Sequence, residues 1–190
     1  MPHAPSRPAR TQWHNRISRI AIVALGLFGL IWLSGVRLYA FRGNSMIPAV
    51  MPDDHFVALV GLWKRTEPRR FDLVIFDVPE SSAWAKQRIP WMKRLVGLPG
   101  EHVRLAGDAL FINGNLIDAP FLRRDIQTAQ HEPTEIKLGE DQFFVLGDNL
   151  DHSLEDSRKF GPVHRSLLKG HVGMVLHGSK KHTEGSKSPL

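Results

Sequence analysis

Seventeen consecutive residues without a charge, Ile20 to Val36, place the strongest constraint on how this chain can fold. As an α-helix they would be about 25 Å long, which is close to the shortest length that crosses a bilayer. Extending the helix to Phe41, with the long Arg37 side chain reaching towards the surface, gives a comfortable span. The sequence therefore predicts a membrane anchor over residues 20–41.

A cleaved signal peptide is the alternative interpretation, because the apolar stretch is short and follows a basic segment. The sequence favours an uncleaved anchor, since no small-residue cleavage pattern precedes a polar start, and Trp32 and Tyr39 lie where interfacial aromatic residues anchor helices. Four arginines precede the stretch: Arg7, Arg10, Arg16 and Arg19. By the positive-inside rule we expect residues 1–19 in the cytoplasm, one pass through the plasma (inner) membrane, and the remainder outside.

The net charge of +6 does not indicate a nucleic-acid-binding protein, because of where the charge lies. Residues 1–42 hold six arginines and no acid, whereas residues 43–177 carry 16 basic and 18 acidic side chains. A domain that binds DNA or RNA would carry the positive excess itself. The chain also has no cysteine, which excludes disulfides, thiolate metal sites and a cysteine nucleophile.

Beyond the apolar stretch, hydrophobic residues occur in short runs that are typical of β-strands. The predicted strands lie at residues 56–60, 72–76, 92–97, 103–105, 109–112, 142–146 and 171–176, with short helical turns at 81–86 and 163–168 and a surface loop at 122–137. Asn113-Gly114 predicts a tight hairpin turn, because both residues tolerate a positive φ. The sequence thus predicts a mainly β domain over residues 42–177 and a flexible tail over residues 178–190.

A serine follows the apolar stretch in the segment Gly43-Asn44-Ser45-Met46-Ile47-Pro48. Serine beside glycine, asparagine and proline is ordinarily a turn residue. The glycine and the proline can instead form a rigid loop that exposes the Ser45 hydroxyl and its own backbone N–H. Such exposure is what a nucleophile requires, so both interpretations stay open on the residues alone.

Lys93 lies within a predicted strand and has two possible environments. On a solvent-facing side it is an ordinary surface lysine. Facing inward, it loses hydration, and its pKa falls far enough for the amine to act as a general base near neutral pH. Arg94 points to the opposite face in either case. Asp156 and Arg158, similarly, form either a weak surface pair or a buried bidentate pair that fixes a loop beside the site.

Taken in order, these segments resemble the type I signal peptidases, the leader peptidases of bacteria. The resemblance rests on the apolar anchor, Ser-Met-x-Pro, Asp-Leu-Val-Ile-Phe, Lys-Arg-Leu-Val-Gly-Leu-Pro-Gly-Glu, Gly-Asp-Asn and Asp-Ser-Arg. It implies an antiparallel β-sheet catalytic domain in which Ser45 is the nucleophile and Lys93 the general base of a serine–lysine dyad. The supporting residues that it implies around the oxyanion and the active site are Gly43, Asn44, Met46, Asp148, Ser153, Asp156 and Arg158.

The implied reaction is removal of signal peptides from secretory preproteins through an acyl-enzyme, at the surface of membrane lipid and without a metal or other cofactor. Two departures from the family pattern leave questions open. Gly43 stands where many members carry a serine whose hydroxyl helps to hold the oxyanion, so a second donor is unidentified. Two residues, Leu154 and Glu155, separate Ser153 from Asp156 where the family usually has one, so contact between Ser153 and Lys93 is undecided.

Other functions are compatible with parts of this pattern. A specialised maturation peptidase of a conjugation or pilus system would share the dyad but accept few substrates. A membrane-anchored binding protein would keep the fold without turnover. Self-cleaving repressors also use a serine–lysine dyad, but they carry a DNA-binding helical domain for which this sequence gives no pattern. The sequence predicts no nucleic-acid partner and does not indicate an oligomeric state.

Overall fold

The computed structural model describes residues 10–61, 67–86, 90–122 and 133–178. The chain divides into two units between Val36 and Arg37. Helix α1, Arg10–Leu33, lies in the first unit. Among the described residues, no helix combines the length and the apolar composition that a bilayer crossing requires.

The predicted continuation of this helix to residue 41 is wrong. Helix α1 ends at Leu33, Gly35 has a φ of 71°, and Val36–Ala40 forms strand β1. A glycine at positive φ just beyond the last turn is a common helix end, and the β-branched and aromatic residues that follow favour a strand. The Tyr39 ring stacks on the Phe56 ring with 5.5 Å between centroids, so it belongs to the β-domain core and is not an interfacial anchor.

The prediction of a mainly β second unit is confirmed. After β1 the strands are β2 His55–Val60, β3 Leu73–Phe76, β4 Trp91–Gly97, β5 His102–Ala106, β6 Ala109–Ile112, β7 Asn115–Ile117, β8 Thr134–Lys137, β9 Gln142–Leu146, β10 Val163–His164 and β11 Leu168–Leu176. The larger sheet has the order β1-β2-β11-β3-β4-β9-β10 and the smaller one β7-β6-β5-β8. From β2 onwards the neighbouring strands of both sheets pair antiparallel.

The predicted hairpin is confirmed. Asn113 and Gly114 have φ values of 51° and 81°, and β6 pairs with β7 through Ile112 and Asn115. Two successive residues at positive φ match the right-handed twist of the flanking strands, which is why Asn-Gly is such a strong turn signal.

One local prediction is wrong, one is confirmed in part, and one element has no counterpart among the predictions. The surface loop predicted at 122–137 ends in strand β8, which pairs with β5 and packs the partly buried Ile136 against the core; residues 123–132 lie outside the described part. One apolar residue in four is too weak an alternation to indicate a strand. The helical turn predicted at 163–168 is confirmed in part, because Arg165–Leu167 forms a 3₁₀ turn directly after the two-residue strand β10. The short helix α2, Ser157–Phe160, has no signal in the sequence pattern. Of the predicted tail, only Gly178 is described.

Strand β4 positions the candidate site because it lies between β3 and β9 in the larger sheet. Lys93 pairs with Val74, and Val74 and Leu95 belong to one buried apolar cluster. Met92 pairs with Ile75, and both belong to a different buried cluster. Alternation along β4 therefore places Lys93 on one face of the sheet and its two chain neighbours on the other.

Candidate active site

Lys93 is a buried lysine with a polar partner. Its side chain lies in strand β4 with only 5% of the residue exposed, and its Nζ donates a hydrogen bond to Ser153 Oγ at 3.0 Å. Burial lowers the pKa of Lys93 to about 8, although the negative charge of Asp156 opposes the shift. A substantial fraction of the amine is therefore neutral near pH 8, as a general base requires.

Ser153 is fixed from its other side by a buried carboxylate. Its Oγ donates to Asp156 Oδ2 at 2.7 Å, and Asp156 is 1% exposed. Because the Ser153 proton is directed to Asp156, the Ser153 oxygen is left as an acceptor for the Lys93 amine. The question left open by the longer spacing is thereby answered, since Ser153 reaches Lys93 with two residues between it and Asp156.

Arg158 holds Asp156 in a bidentate pair. Its Nε and Nη2 donate to the two carboxylate oxygens at 2.9 and 2.8 Å, and Nη2 also donates to the carbonyls of Leu150 and Ser153. The guanidinium is largely buried, so this is not a solvent-exposed surface pair. Two parallel charge-assisted bonds fix both orientation and distance, which makes Arg158 the residue that sets the position of Asp156.

Asp156 also connects this loop to strand β9. It is the N-cap of helix α2, accepting from the Arg158 N–H at 3.1 Å, and it accepts from the Gly147 N–H at 3.3 Å. The next residue, Ser157, accepts from the Val145 N–H through its hydroxyl at 2.9 Å. The segment that carries Ser153 and Asp156 is therefore tied directly to the end of β9.

Ser45 lies in the turn that follows β1 and is held through its neighbours. Its carbonyl accepts from the Asn149 N–H at 3.0 Å, and the adjacent Met46 is fully buried in the cluster that contains Met92 and Ile75. Among the described residues, the Ser45 hydroxyl is not hydrogen-bonded to the Lys93 amine, whose polar partner is Ser153. Catalytic hydrogen bonds are often long without substrate and shorten when it binds.

Gly147 is the point at which the Ser45 turn and the Ser153 loop come together. A Cβ on this glycine would lie 2.6 Å from the Ser45 carbonyl oxygen and nearer still to Ser153 Oγ, both closer than real Cβ contacts. The Ser45 backbone and the Ser153 hydroxyl, which accepts a hydrogen bond from Lys93, therefore both lie next to Gly147. This role of Gly147 was missed from the sequence, where the Gly-Asp-Asn motif gives no sign of what the glycine faces.

Asp148 has a partner that the sequence did not indicate. It is fully buried, and Arg94 donates to its two oxygens from Nε and Nη2 at 2.7 and 2.6 Å, while Arg94 Nη1 donates to the Phe71 carbonyl. Burial raises the pKa of Asp148, and Arg94 opposes that rise. This pair joins β4 to the end of β9 on the face opposite Lys93, so Asp148 supports the framework and does not contact the Lys93 amine.

Gly43 and Asn44 lie beside Ser45 without contributing a side-chain group to this network. Asn44 is exposed, and its carbonyl accepts from the Ile47 N–H at 3.4 Å. A Cβ on Gly43 would lie 3.3 Å from the Phe41 ring, which occupies the adjacent space. The turn therefore brings a hydroxyl from Ser45 alone.

Comparison with known proteins places the chain in a family. Residues 14–177 match the family model described as "Signal peptidase, peptidase S26". The chain is similar to signal peptidase I of Bacillus licheniformis, at 28% identity over 78% of this chain and 81% of that protein, and to signal peptidase I of Bacillus caldolyticus, at 27% identity over 87% and 88%. A crystal structure of a signal peptidase I from Enterococcus faecalis matches 56% of this chain and 97% of its own, with 31% identity and a TM-score of 0.47.

The family match covers most of the chain and includes every residue of the site described above. It begins within helix α1 and ends with strand β11, so it spans both sheets. The chain therefore belongs to the signal peptidase family, peptidase S26.

Proposed function

We propose that this signal peptidase cuts exported preproteins with Ser45 as nucleophile and Lys93 as general base, through an acyl-enzyme. The observation that carries the proposal is a buried amine whose pKa is lowered to about 8, held on Ser153 beside the glycine that also meets the Ser45 backbone. A serine is a weak nucleophile until a neighbouring base takes its proton, and a neutral lysine provides such a base.

The reaction that we propose has two halves. The neutral Lys93 amine takes the Ser45 proton as the Ser45 oxygen attacks the scissile carbonyl, and the resulting ammonium gives that proton to the leaving amine as the peptide bond breaks. A water molecule then loses a proton to the same amine and attacks the ester. The ammonium returns that proton to the Ser45 oxygen as the ester bond breaks, which releases the signal peptide as a carboxylic acid and restores the Ser45 hydroxyl. Ser153 and Asp156 keep the amine aligned through both halves.

The backbone N–H of Ser45 is the donor that we assign to the tetrahedral oxyanion. Among the described residues this N–H donates no hydrogen bond, so it is available to a substrate oxygen. Gly43 offers no hydroxyl as a second donor. Preorganised backbone donors of this kind contribute the most when substrate excludes water from the site.

Purified full-length protein in detergent or lipid, incubated with secretory precursors that carry signal peptides, tests the proposal. We expect one cut at the signal-peptide junction, identified by the new N-terminus of the product. Unrelated precursors from the same host distinguish a general signal peptidase from a specialised maturation peptidase, because the specialised enzyme would cut only one or a few of them. A wild-type protein that cuts no precursor under these conditions would contradict the proposed function.

The pH dependence of cleavage follows from the Lys93 amine. Because the neutral form is the base, we expect kcat/KM to rise about tenfold per pH unit below a midpoint near 8 and to level off above it. An unshifted lysine would move that midpoint above pH 10. Rates measured from pH 6 to 10 on one precursor check this expectation, and a profile that falls between pH 6 and 8 would contradict it.

Gly147→Ala should damage the site sterically. The added methyl group would lie 2.6 Å from the Ser45 carbonyl oxygen, which is backbone, so the turn and the Ser153 loop must separate. We expect cleavage to fall by about 100-fold, since a displacement of about 1 Å can have that effect. Gly173→Ala is the matched control, because the nearest atom to its Cβ would be 3.8 Å away. Wild-type cleavage by Gly147→Ala would be inconsistent with the assignment.

We also propose that the protein is membrane-bound, with residues 1–19 in the cytoplasm and the β domain outside. The uncharged stretch Ile20 to Val36 and the arginines before it support this arrangement. Protease added to spheroplasts should then degrade residues 43–190. Protection of those residues in intact spheroplasts, with degradation after lysis, would reverse the orientation.

A further inference from the structure

Two serines in the turn over residues 79–86 hold the loop that carries Asp156. Ser82 is 6% exposed; its Oγ donates to Glu155 Oε2 at 2.8 Å and accepts from the Trp84 N–H at 3.1 Å. The Ser81 Oγ donates to the Phe160 carbonyl at 2.7 Å. We call these two contacts the serine clasp.

The two hydrogen bonds of the serine clasp hold the two ends of the short segment from Glu155 to Phe160. Glu155 immediately precedes Asp156, and Phe160 is the last residue of helix α2. Asp156 therefore lies between the two positions that the clasp holds. Asp156 accepts a hydrogen bond from Ser153, which in turn accepts one from Lys93. The clasp reaches this segment from a turn that is more than 70 positions away in the sequence, so it restrains the loop against the body of the domain.

The Ser82 contact acts inside the loop that joins Ser153 to Asp156. Leu154 and Glu155 are the two residues between Ser153 and Asp156. Leu154 is 78% exposed, whereas the Glu155 side chain turns back to the buried Ser82 hydroxyl. A loop has conformational freedom that would let Ser153 move away from Lys93 unless a contact of this kind removes it.

We infer that Glu155 and Ser82 are positioning residues for the proposed peptidase reaction: their hydrogen bond fixes the loop so that Ser153 stays hydrogen-bonded to the Lys93 amine. The inference rests on the proposed function. Neither residue touches the reacting atoms, and both act through Asp156 and Ser153. Their hydrogen bond is the contact that must be intact, with the Ser81 contact holding the far end of the segment.

The charge of Glu155 provides a second, separable effect. The charged groups that act on Lys93 are Asp156, Arg158, Asp148 and Glu155, and the Glu155 carboxylate raises the pKa of the amine. Glu155→Gln keeps an oxygen that accepts from Ser82 but removes the charge. Glu155→Ala removes both. Comparing the two substitutions therefore separates the effect of the Ser82–Glu155 hydrogen bond from the effect of the Glu155 charge on the pKa of Lys93.

Cleavage of one precursor by full-length protein tests the inference. We expect Ser82→Ala and Glu155→Ala each to lower kcat about tenfold with little change in KM, because alignment of the base is lost and substrate contacts are kept. The double variant should be no slower than either single variant, since both remove the same contact. Glu155→Gln should keep a kcat near that of wild type, with the pH midpoint moved towards acid because the carboxylate that raises the pKa of Lys93 is gone.

Glu80→Ala is the matched control, because Glu80 is an exposed glutamate in the same turn. We expect it to leave kcat and the pH midpoint unchanged. Additive losses in the double variant, or a Glu155→Gln variant as slow as Glu155→Ala, would overturn the inference while wild-type cleavage leaves the proposed function intact. A wild-type protein that does not cleave precursors overturns the proposed function instead, so the two failures are distinguishable.

Discussion

Lys93→Met is expected to abolish cleavage and, at the same time, to stabilise the folded protein at neutral pH. The loss of activity follows because methionine fills a similar volume but accepts no proton; removing a catalytic base of this kind costs about 10⁴-fold or more. A pKa lowered from 10.5 to about 8 means that burying the charged amine reduces the free energy of unfolding at pH 7 by about 3 kcal/mol. Methionine removes that cost but loses the hydrogen bond to Ser153, which leaves a net gain of about 2 kcal/mol.

The pH dependence of that gain has a definite sign. The folded-state pKa of Lys93 lies below the unfolded value, so the cost is fully present below pH 8 and disappears as the pH rises towards 10.5. Denaturant unfolding of both proteins at pH 7 and pH 10 measures it, and the advantage of Lys93→Met should shrink at the higher pH. Lys137→Met, on the exposed side of strand β8, is the control and should change neither cleavage nor stability much. Retained cleavage, or strong destabilisation at pH 7, would be incompatible with a buried catalytic amine.

Ser45→Ala is expected to lower cleavage by about 10⁴-fold or more while leaving the fold unchanged. The contact that Ser45 makes to the rest of the site runs through its backbone carbonyl to Asn149, and alanine preserves it. We therefore expect the free energy of unfolding to change by less than about 0.5 kcal/mol. Cleavage and denaturant unfolding of the same preparation measure both quantities.

Ser166→Ala controls for the loss of a serine hydroxyl elsewhere, because Ser166 is exposed and bonds only locally to His164. It should cleave as wild type does. If Ser45→Ala cleaved at a comparable rate, another residue would be the nucleophile. If it unfolded readily, Ser45 would have a structural role that its contacts do not indicate.

Strand prediction from the sequence succeeded where local chemistry alone determines the backbone. Asn113-Gly114 encodes its hairpin because both residues accept a positive φ, and β9 was predicted with the bounds that it has, since five residues from Gln142 to Leu146 are almost wholly apolar. The failures involve pairing. Strand β8 has a single apolar residue, Ile136, and exists because β5 offers it an edge.

The end of helix α1 shows a second kind of limit. Hydropathy continues past Gly35 through Val36 and Leu38 to Phe41, so a count of apolar residues extends the helix. The glycine at positive φ and the stacking of Tyr39 on Phe56 decide the outcome in favour of a strand. Phe56, on which Tyr39 stacks, is 17 positions away in the sequence, so no local pattern predicts this contact.

At the site, the sequence could nominate residues but could not specify which of them meet. Alternation along β4 predicted that Lys93 and Arg94 have different surroundings, and the two side chains do bond to different partners, Ser153 and Asp148. The contact of Ser153 with Lys93 could not be derived from spacing, because it depends on how the longer loop folds. The steric role of Gly147 and the contact of Ser82 with Glu155 likewise exist only once distant segments have packed.

The titration of the Lys93 amine itself tests the central claim most directly. Full-length protein with isotopically labelled lysine can be followed by NMR across pH 6 to 12, and the Lys93 resonance is identified by its absence from Lys93→Met. We predict a midpoint near pH 8, well below that of an ordinary lysine. A midpoint above pH 10 would mean that the amine is solvated and protonated under working conditions, and it would contradict the proposal that Lys93 activates Ser45.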